Sequence, residues 1–296
     1  MAVTAEAVKL LRERTGAGMM ECKKALVETN GDLDAAAELM RKAGLAKADK
    51  KATRVAAEGV IVIERSADEK RAAVAEINCE TDFVAREPDF QSFAANVAKV
   101  ALEHRPASTD ALMALSLENG SSIDETRRAL IAKIGENISV RRFAILEGPA
   151  VVGAYLHGTR IGALVAMKSG DDAVAKDIAM HVAAINPLRV SAAEVPAEEV
   201  AKERAIFIEQ AKSDPKTAGK PQEIVDKITE GKVRKWLSEI TLLGQPFVKD
   251  DKQTVEQYLK KAGGEVAAIL RYEVGEGIEK KQEDFAAEVM KQVRGQ

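Results

Sequence analysis

The sequence predicts an α+β fold, on three observations. The run from Ala73 to Cys79 alternates, with Ala73, Ala75, Ile77 and Cys79 on one face and Val74, Glu76 and Asn78 on the other, as a half-buried strand does. Helical spacing dominates elsewhere, in a chain with 31% charged residues and only 4% aromatics. A unit of hairpin, helix and closing strand also occurs twice. The 296 residues suffice for more than one core, and a net charge of −3 provides no bulk basic field for nucleic-acid phosphates.

Taken in order, Thr4 caps a first helix carrying Val8 and Leu11, which Gly16 and Gly18 end. Met19, Cys22 and Leu26 form an inward stripe on a second helix. Asn30 and Gly31 stop that helix, and Asp32 caps a third bearing Leu33, Ala36, Ala37 and Met40. Residues 1–46 thus read as a three-helix module ending near Gly44, with 47–58 as a linker. Met20 and Val27 fall off the inward stripe. They are either a second apolar face, where a flexible thioether suits contact with a partner, or simply the core of a small module.

A hairpin follows, with Val60 to Ile63, a polar turn at Ala67 to Lys70, and the Ala73 strand. Pro88 opens a helix with Phe90, Phe93, Ala94, Val97 and Ala101 inward. Between strand and helix, Thr81, Asp82, Phe83 and Val84 belong to neither pattern. A capping box at Ser122 and Glu125 starts another helix, and a strand from Ile138 closes near Gly148, so 59–148 form a first core subdomain.

The second half repeats this plan. Ala73, Asp82, Val84 and Ala85 correspond to Ala163, Asp172, Val174 and Ala175 at one offset, and Gly135, Glu136, Arg142 and Phe143 correspond to Gly264, Glu265, Arg271 and Tyr272 at another. Residues 149–186 and 263–277 then form a second core subdomain, and 187–262 an insertion. Where the first copy has Phe83 the second has Ala173, so the shared plan does not require an aromatic there. The insertion holds a charged helix with Val200 and Phe207 and a second helix with Val225, Ile228, Val233, Trp236, Leu237 and Ile240. It reads as an antiparallel helical arm that either mediates self-association or buries only its own two helices. Residues 278–296 read as a C-terminal helical module bearing Phe285, Val289 and Val293.

Catalytic signatures are missing from the chain. It has no GxxxxGK[ST] phosphate loop, and Gly275, Glu276 and Gly277 lack the third glycine of a dinucleotide turn. Its two cysteines, Cys22 and Cys79, stand in no metal or redox spacing and read as buried, reduced thiols of a cytoplasmic protein. No run approaches the length of a membrane span. His104 ends a helix, His157 sits in a hairpin turn, and His181 borders the stripe of Val174, Ile178, Val182 and Ile185. Glu80, Asp82, Glu87 and Asp89 are near in sequence without a spacing that fixes them around an ion. The reading is a non-enzyme without cofactor or bound metal. A scaffold-type binding module and a metal-dependent enzyme at the acidic loop are the competing classes.

NCETDFVA (Asn78 to Ala85) resembles the signature of the bacterial and organellar elongation factor Ts family. TGAGMMECKKAL (Thr15 to Leu26) resembles its N-terminal signature, and GQPFV and GEGIEK (Gly244 to Val248, Gly275 to Lys280) its C-terminal part. The resemblance implies a guanine nucleotide exchange factor for elongation factor Tu, with no direct contact to nucleic acid or membrane. It also implies that the N-terminal module is similar to ubiquitin-associated domains and touches the GTPase domain together with the C-terminal helix, while the second subdomain meets another domain of Tu. Thr81, Asp82, Phe83 and Val84 would then dislodge the partner's Mg²⁺, with Phe83 as the wedge and Asp82 as its polar neighbour. Met19, Met20 and His181 would be further contacts.

Overall fold

The computed structural model describes residues 3–279 apart from 216 and 218. Of the expected C-terminal module, 278–296, the part from 280 on, with Phe285, Val289 and Val293, lies outside the described residues. At the N-terminal end, α1 (Ala5–Thr15), α2 (Met19–Glu28) and α3 (Leu33–Lys51) enclose Val8, Leu11, Cys22, Leu26 and Ala36. Thr4 caps α1 by accepting from Ala7 N, and Gly16 ends it in the left-handed conformation at φ 68°.

Gly44 does not end α3, which runs on to Lys51, so the connection is shorter than the expected 47–58. A Cβ at Gly44 would stand 3.0 Å from the Ala132 side chain. The glycine therefore serves a close helix approach rather than a stop.

The first core unit comprises β1 (Glu58–Arg65), β2 (Arg71–Cys79), the single turn α4 (Asp82–Ala85), α5 (Pro88–His104), α6 (Thr109–Ala114), α7 (Ile123–Ile134) and β3 (Ile138–Glu147). The second comprises β4 (Val151–His157), β5 (Ile161–Ser169) and α8 (Asp172–Ile185). After the arm helices α9 (Ala197–Ser213) and α10 (Gln222–Ile240) come β6 (Pro246–Phe247), β7 (Asp250–Thr254), α11 (Val255–Ala262) and β8 (Glu265–Glu273). Each unit has a three-stranded antiparallel sheet, ordered β1-β2-β3 and β4-β5-β8.

One face of each sheet is covered by its own helices. Ala73, Ala75, Ile77, Phe90, Phe93 and Val97 make the first core, and Ala163, Val165, Met167, Ile178 and Val182 the second. The other faces pack on each other through Ile61, Val74, Val152, Leu164 and Ala166. β2 is therefore buried on both faces, not half-buried, because its polar-looking face looks into the space between the sheets.

Two expectations about the second unit change. Leu242, Phe247, Val255 and Leu259 belong to the second core, so the helical arm is α9 and α10 alone and not the whole of 187–262. The closing strands also pair differently from the sequence match. Both sheets carry a bulge at the same place, with Glu76 opposite Arg142 and Ile77 opposite Val140 in one, and Ala166 opposite Ala268 and Met167 opposite Val266 in the other. Arg142 thus corresponds to Ala268, three positions before Arg271. The odd displacement puts the two arginines on opposite faces: Arg142 reaches Glu76 between the sheets, while Arg271 donates to Ala183 O on α8.

Candidate functional site

The segment from Thr81 to Val84 supplies the N-cap and the first three residues of α4, held where β2 ends. Thr81 is its N-cap, accepting from Val84 N at 3.4 Å, and the buried Val84 and Ala85 fix the turn to the first core. Pro88 at the start of α5 has no N–H to extend a helix from α4, so the chain makes one turn, breaks at Arg86 and Glu87, and restarts. Phe83 stands on that isolated turn with 76% of its surface exposed. Asp82 pairs with Arg86 at 2.6 Å in solvent, a contact of little energy that holds the carboxylate beside the ring.

A fixed, solvated phenyl ring is costly to leave in water. Burying one fully would recover about 1.5–3 kcal/mol. Phe83 lines neither the cleft of about 840 Å³ between the three-helix module and α7 nor the one of about 620 Å³ beside α6 and β3. The ring protrudes into solvent. Thr81 also donates its N–H and its hydroxyl to Glu136, a residue that no sequence pattern connected with this turn.

The family model for elongation factor TS matches residues 80–276, which begin one residue before this turn. The chain belongs to the elongation factor Ts family. Elongation factor Ts of Thioalkalivibrio sulfidiphilus is 57% identical over 297 residues, with 100% of each chain covered. Those of Alkalilimnicola ehrlichii and Legionella pneumophila subsp. pneumophila are each 56% identical, covering 100% and 99% of both chains respectively.

The remaining elongation factor Ts candidates separate. Met19 leaves the inward stripe, because as the first residue of α2 it lies beyond the small core closed by Cys22 and Leu26. It is 58% exposed, Met20 is 75% exposed, and Val27 is exposed beside them. Met20 and Val27, seven residues apart, share one exposed face of α2, and Met19 lies at its N-terminal edge. His181 is the reverse: it is fully buried, so no surface of it can touch a partner. Its Nδ1 accepts from Val248 N at 3.1 Å, which leaves the Nε2 proton for Gln245 Oε1 at 2.9 Å. Burial lowers its pKa, against the opposing bond to Gln245, so the ring is neutral and fixes both ends of the 245–248 segment that carries β6. The β6–β7 hairpin covers this flank of α8, while Ile185, expected inward, is exposed.

Both cysteines are unpaired and buried, and burial followed by the nearby Glu136 and Glu58 charges pushes the Cys79 thiol up to about 12. Among the described residues no group of three or more His, Cys, Asp or Glu is placed to hold a metal ion. No described helix is long and apolar enough to cross a membrane.

Proposed function

We propose that this chain is a guanine nucleotide exchange factor for elongation factor Tu, acting in the cytoplasm through binding and without catalytic residues. The exposed Phe83 on a braced turn is the observation that carries the reading. Tu holds GDP through Mg²⁺ and its phosphate-binding loop, by charge and hydrogen bonding that depend on exact placement. A ring pushed beside that site displaces the elements that place the ion, and α4 supplies the ring with Thr81, Asp82 and Val84 around it. The turn's rigidity matters, because a ring free to swing would lose part of its binding energy to ordering.

The exposed Met19, Met20 and Val27 give the N-terminal module, read as ubiquitin-associated-like, a second apolar contact with Tu. Leu156 and His157, exposed at the tip of the β4–β5 hairpin, give the second unit a third. Exposed Ile206 and Ile224 on α9 and α10 support self-association through the arm.

Linkage sets the limits of the mechanism. The factor weakens GDP on Tu by the same ratio as GDP weakens the factor on Tu; a coupling of about 3 kcal/mol is roughly 150-fold. It accelerates exchange and leaves the choice of GTP over GDP to their concentrations. Phe83→Ala should slow release of fluorescent GDP from Tu by about tenfold or more while the variant melts as the parent does, the scale of a lost aromatic anchor. Release at the parental rate would remove the wedge role.

A further inference from the structure

Four groups at the paired ends of β2 and β3 make a crossed set of hydrogen bonds. The last pair of the ladder is Cys79 with Ile138. Beyond it, Glu136 Oε2 accepts from Thr81 N at 3.0 Å and its Oε1 from the Thr81 hydroxyl at 2.7 Å. In the opposite direction, Glu80 Oε1 accepts from Asn137 N at 2.6 Å. Each segment's carboxylate takes the other segment's backbone N–H, so side chains continue the pairing after the strands have separated. The Thr81 hydroxyl works in both directions, donating to Glu136 while accepting from Val84 N. The junction is also tied to the end of the three-helix module, since Asn137 Nδ2 donates to Arg54 O at 2.8 Å and Lys51 Nζ to Gly135 O.

The second unit is an internal control. There Asp171 stands in the place of Thr81 and caps its helix at 2.9 Å from Val174 N, and the chain past the last strand pair, Ser169 with Glu265, is Gly264 and Gly263 rather than a carboxylate residue. The adjoining residue is Gly170, on which a Cβ would lie 3.2 Å from Gly264 Cα. Two glycines in close approach close that strand exit, and the residue presented is Ala173. The fold needs the helix cap in both units, but the carboxylate clamp occurs where a phenyl ring is displayed.

We propose that Glu136 is a positioning residue for Phe83: by gripping both donors of Thr81 it holds α4, and the ring with it, in the one orientation that inserts into the partner. This rests on the exchange-factor reading and on the ring acting as the wedge. Glu136 acts through Phe83 and not by contact of its own.

The test measures fluorescent-GDP release from Tu against concentration of the full chain, for Glu136→Ala, Glu136→Gln and Phe83→Ala singly and for each Glu136 change combined with Phe83→Ala. Glu136→Ala should lower the maximal release rate by about tenfold and Glu136→Gln, which keeps one acceptor, by about threefold, with the half-saturating concentration within about twofold of the parent. In the Phe83→Ala background neither change should slow release further. Parental rates for both Glu136 variants, or equal losses with and without the ring, would overturn the positioning role. A parental rate for Phe83→Ala would instead remove the wedge reading itself. Should a Glu136 variant fail to fold, the parent protein still decides the matter by amide exchange. Thr81 N–H lies past the last strand pair and is predicted to be as protected as Asn78, and rapid exchange there would sink the proposal.

Discussion

At one and the same bulge, the first sheet carries Glu76, Arg141 and Arg142 where the second carries Ala166, Ala267 and Ala268. The backbone device is shared, and a bulge adds a residue to one strand so that two side chains can address one partner. In the first sheet both arginines converge on Glu76, at 3.0 Å and 2.6 Å, and Arg142 lies 4.1 Å from the Tyr272 ring centroid of the other sheet. Glu76 is fully buried and also accepts from Gly275 N at 2.8 Å, while Arg141 and Arg142 donate to Glu276 O and Glu273 O. One sister unit thus holds the other's exit strand, while the second unit's own bulge carries only alanines. The comparison teaches that duplication preserved the chain path while side chains were divided between gripping and being gripped.

Glu76→Ala gives the first bulge the second's residue and should have the largest effect. Breaking a buried ion network by removing one partner costs about 3–5 kcal/mol, and the lower end applies here because both arginines keep about a quarter of their surface in water. Replacing Glu76, Arg141 and Arg142 together by alanine should restore part of that loss, since the two half-buried cations then no longer face an empty carboxylate place; in the single variant Arg142 still keeps Glu276 at 3.1 Å. Urea unfolding of the single and triple variants measures both, and a triple variant weaker than the single would break the comparison.

The same network predicts acid sensitivity. Burial alone would raise the Glu76 carboxyl, but the Gly275 N–H, Asn78 and the two arginines outweigh it and hold its pKa below the ordinary 4.5. A carboxyl depressed in the fold contributes stability that is complete above pH 4.5 and disappears as pH falls through the folded value. Melting temperature should therefore drop more steeply below pH 4.5 in the parent than in Glu76→Gln.

A smaller effect separates the helices. Gly153 on β4 corresponds to Val62 on β1, since their partners Val165 and Ala75 are corresponding residues of β5 and β2. A Cβ at Gly153 would come within 2.4 Å of the Ala175 backbone, so α8 lies directly on the strand. In the first unit Val62 packs under the helical layer, and α4 and α5 are separate where α8 is continuous. Gly153→Ala should destabilise by about 1–3 kcal/mol through overpacking, read from the denaturation midpoint. An unchanged midpoint would mean that the valine and the broken helix are unrelated.

Much of this was legible in the residues alone. Periodicity with caps located α1, α5 and α7, and Phe83 was singled out by its alanine counterpart Ala173. Missed were features created only by pairing: Glu136 lies 55 residues from Thr81, and nothing local marks it as a cap for that turn. Glu76 looked like the polar face of a half-exposed strand, because alternation cannot tell solvent from a second sheet. Arg142 was matched to Arg271 because composition at strand ends imitates homology, while the true register follows from the bulge. His181 fell on the wrong side of the line between surface and core because the hairpin covering it is distant in sequence.

The smallest expected effect tests the comparison most directly. Ala173 is exposed on the first turn of α8, so Ala173→Phe should change stability by no more than about 0.5 kcal/mol. Combined with Phe83→Ala, it moves the ring from one sister unit to the other at a corresponding position. If any exposed ring at this place in the fold can act as a wedge, the double variant recovers GDP release from Tu. If orientation decides, it does not: α8 runs on without the break that isolates α4, and Asp171 faces no Glu136 equivalent to set its angle. The expected result is a folded protein whose release rate stays at that of Phe83→Ala alone. Recovery of even half the parental rate would show that the clamp and the broken helix are incidental to the wedge.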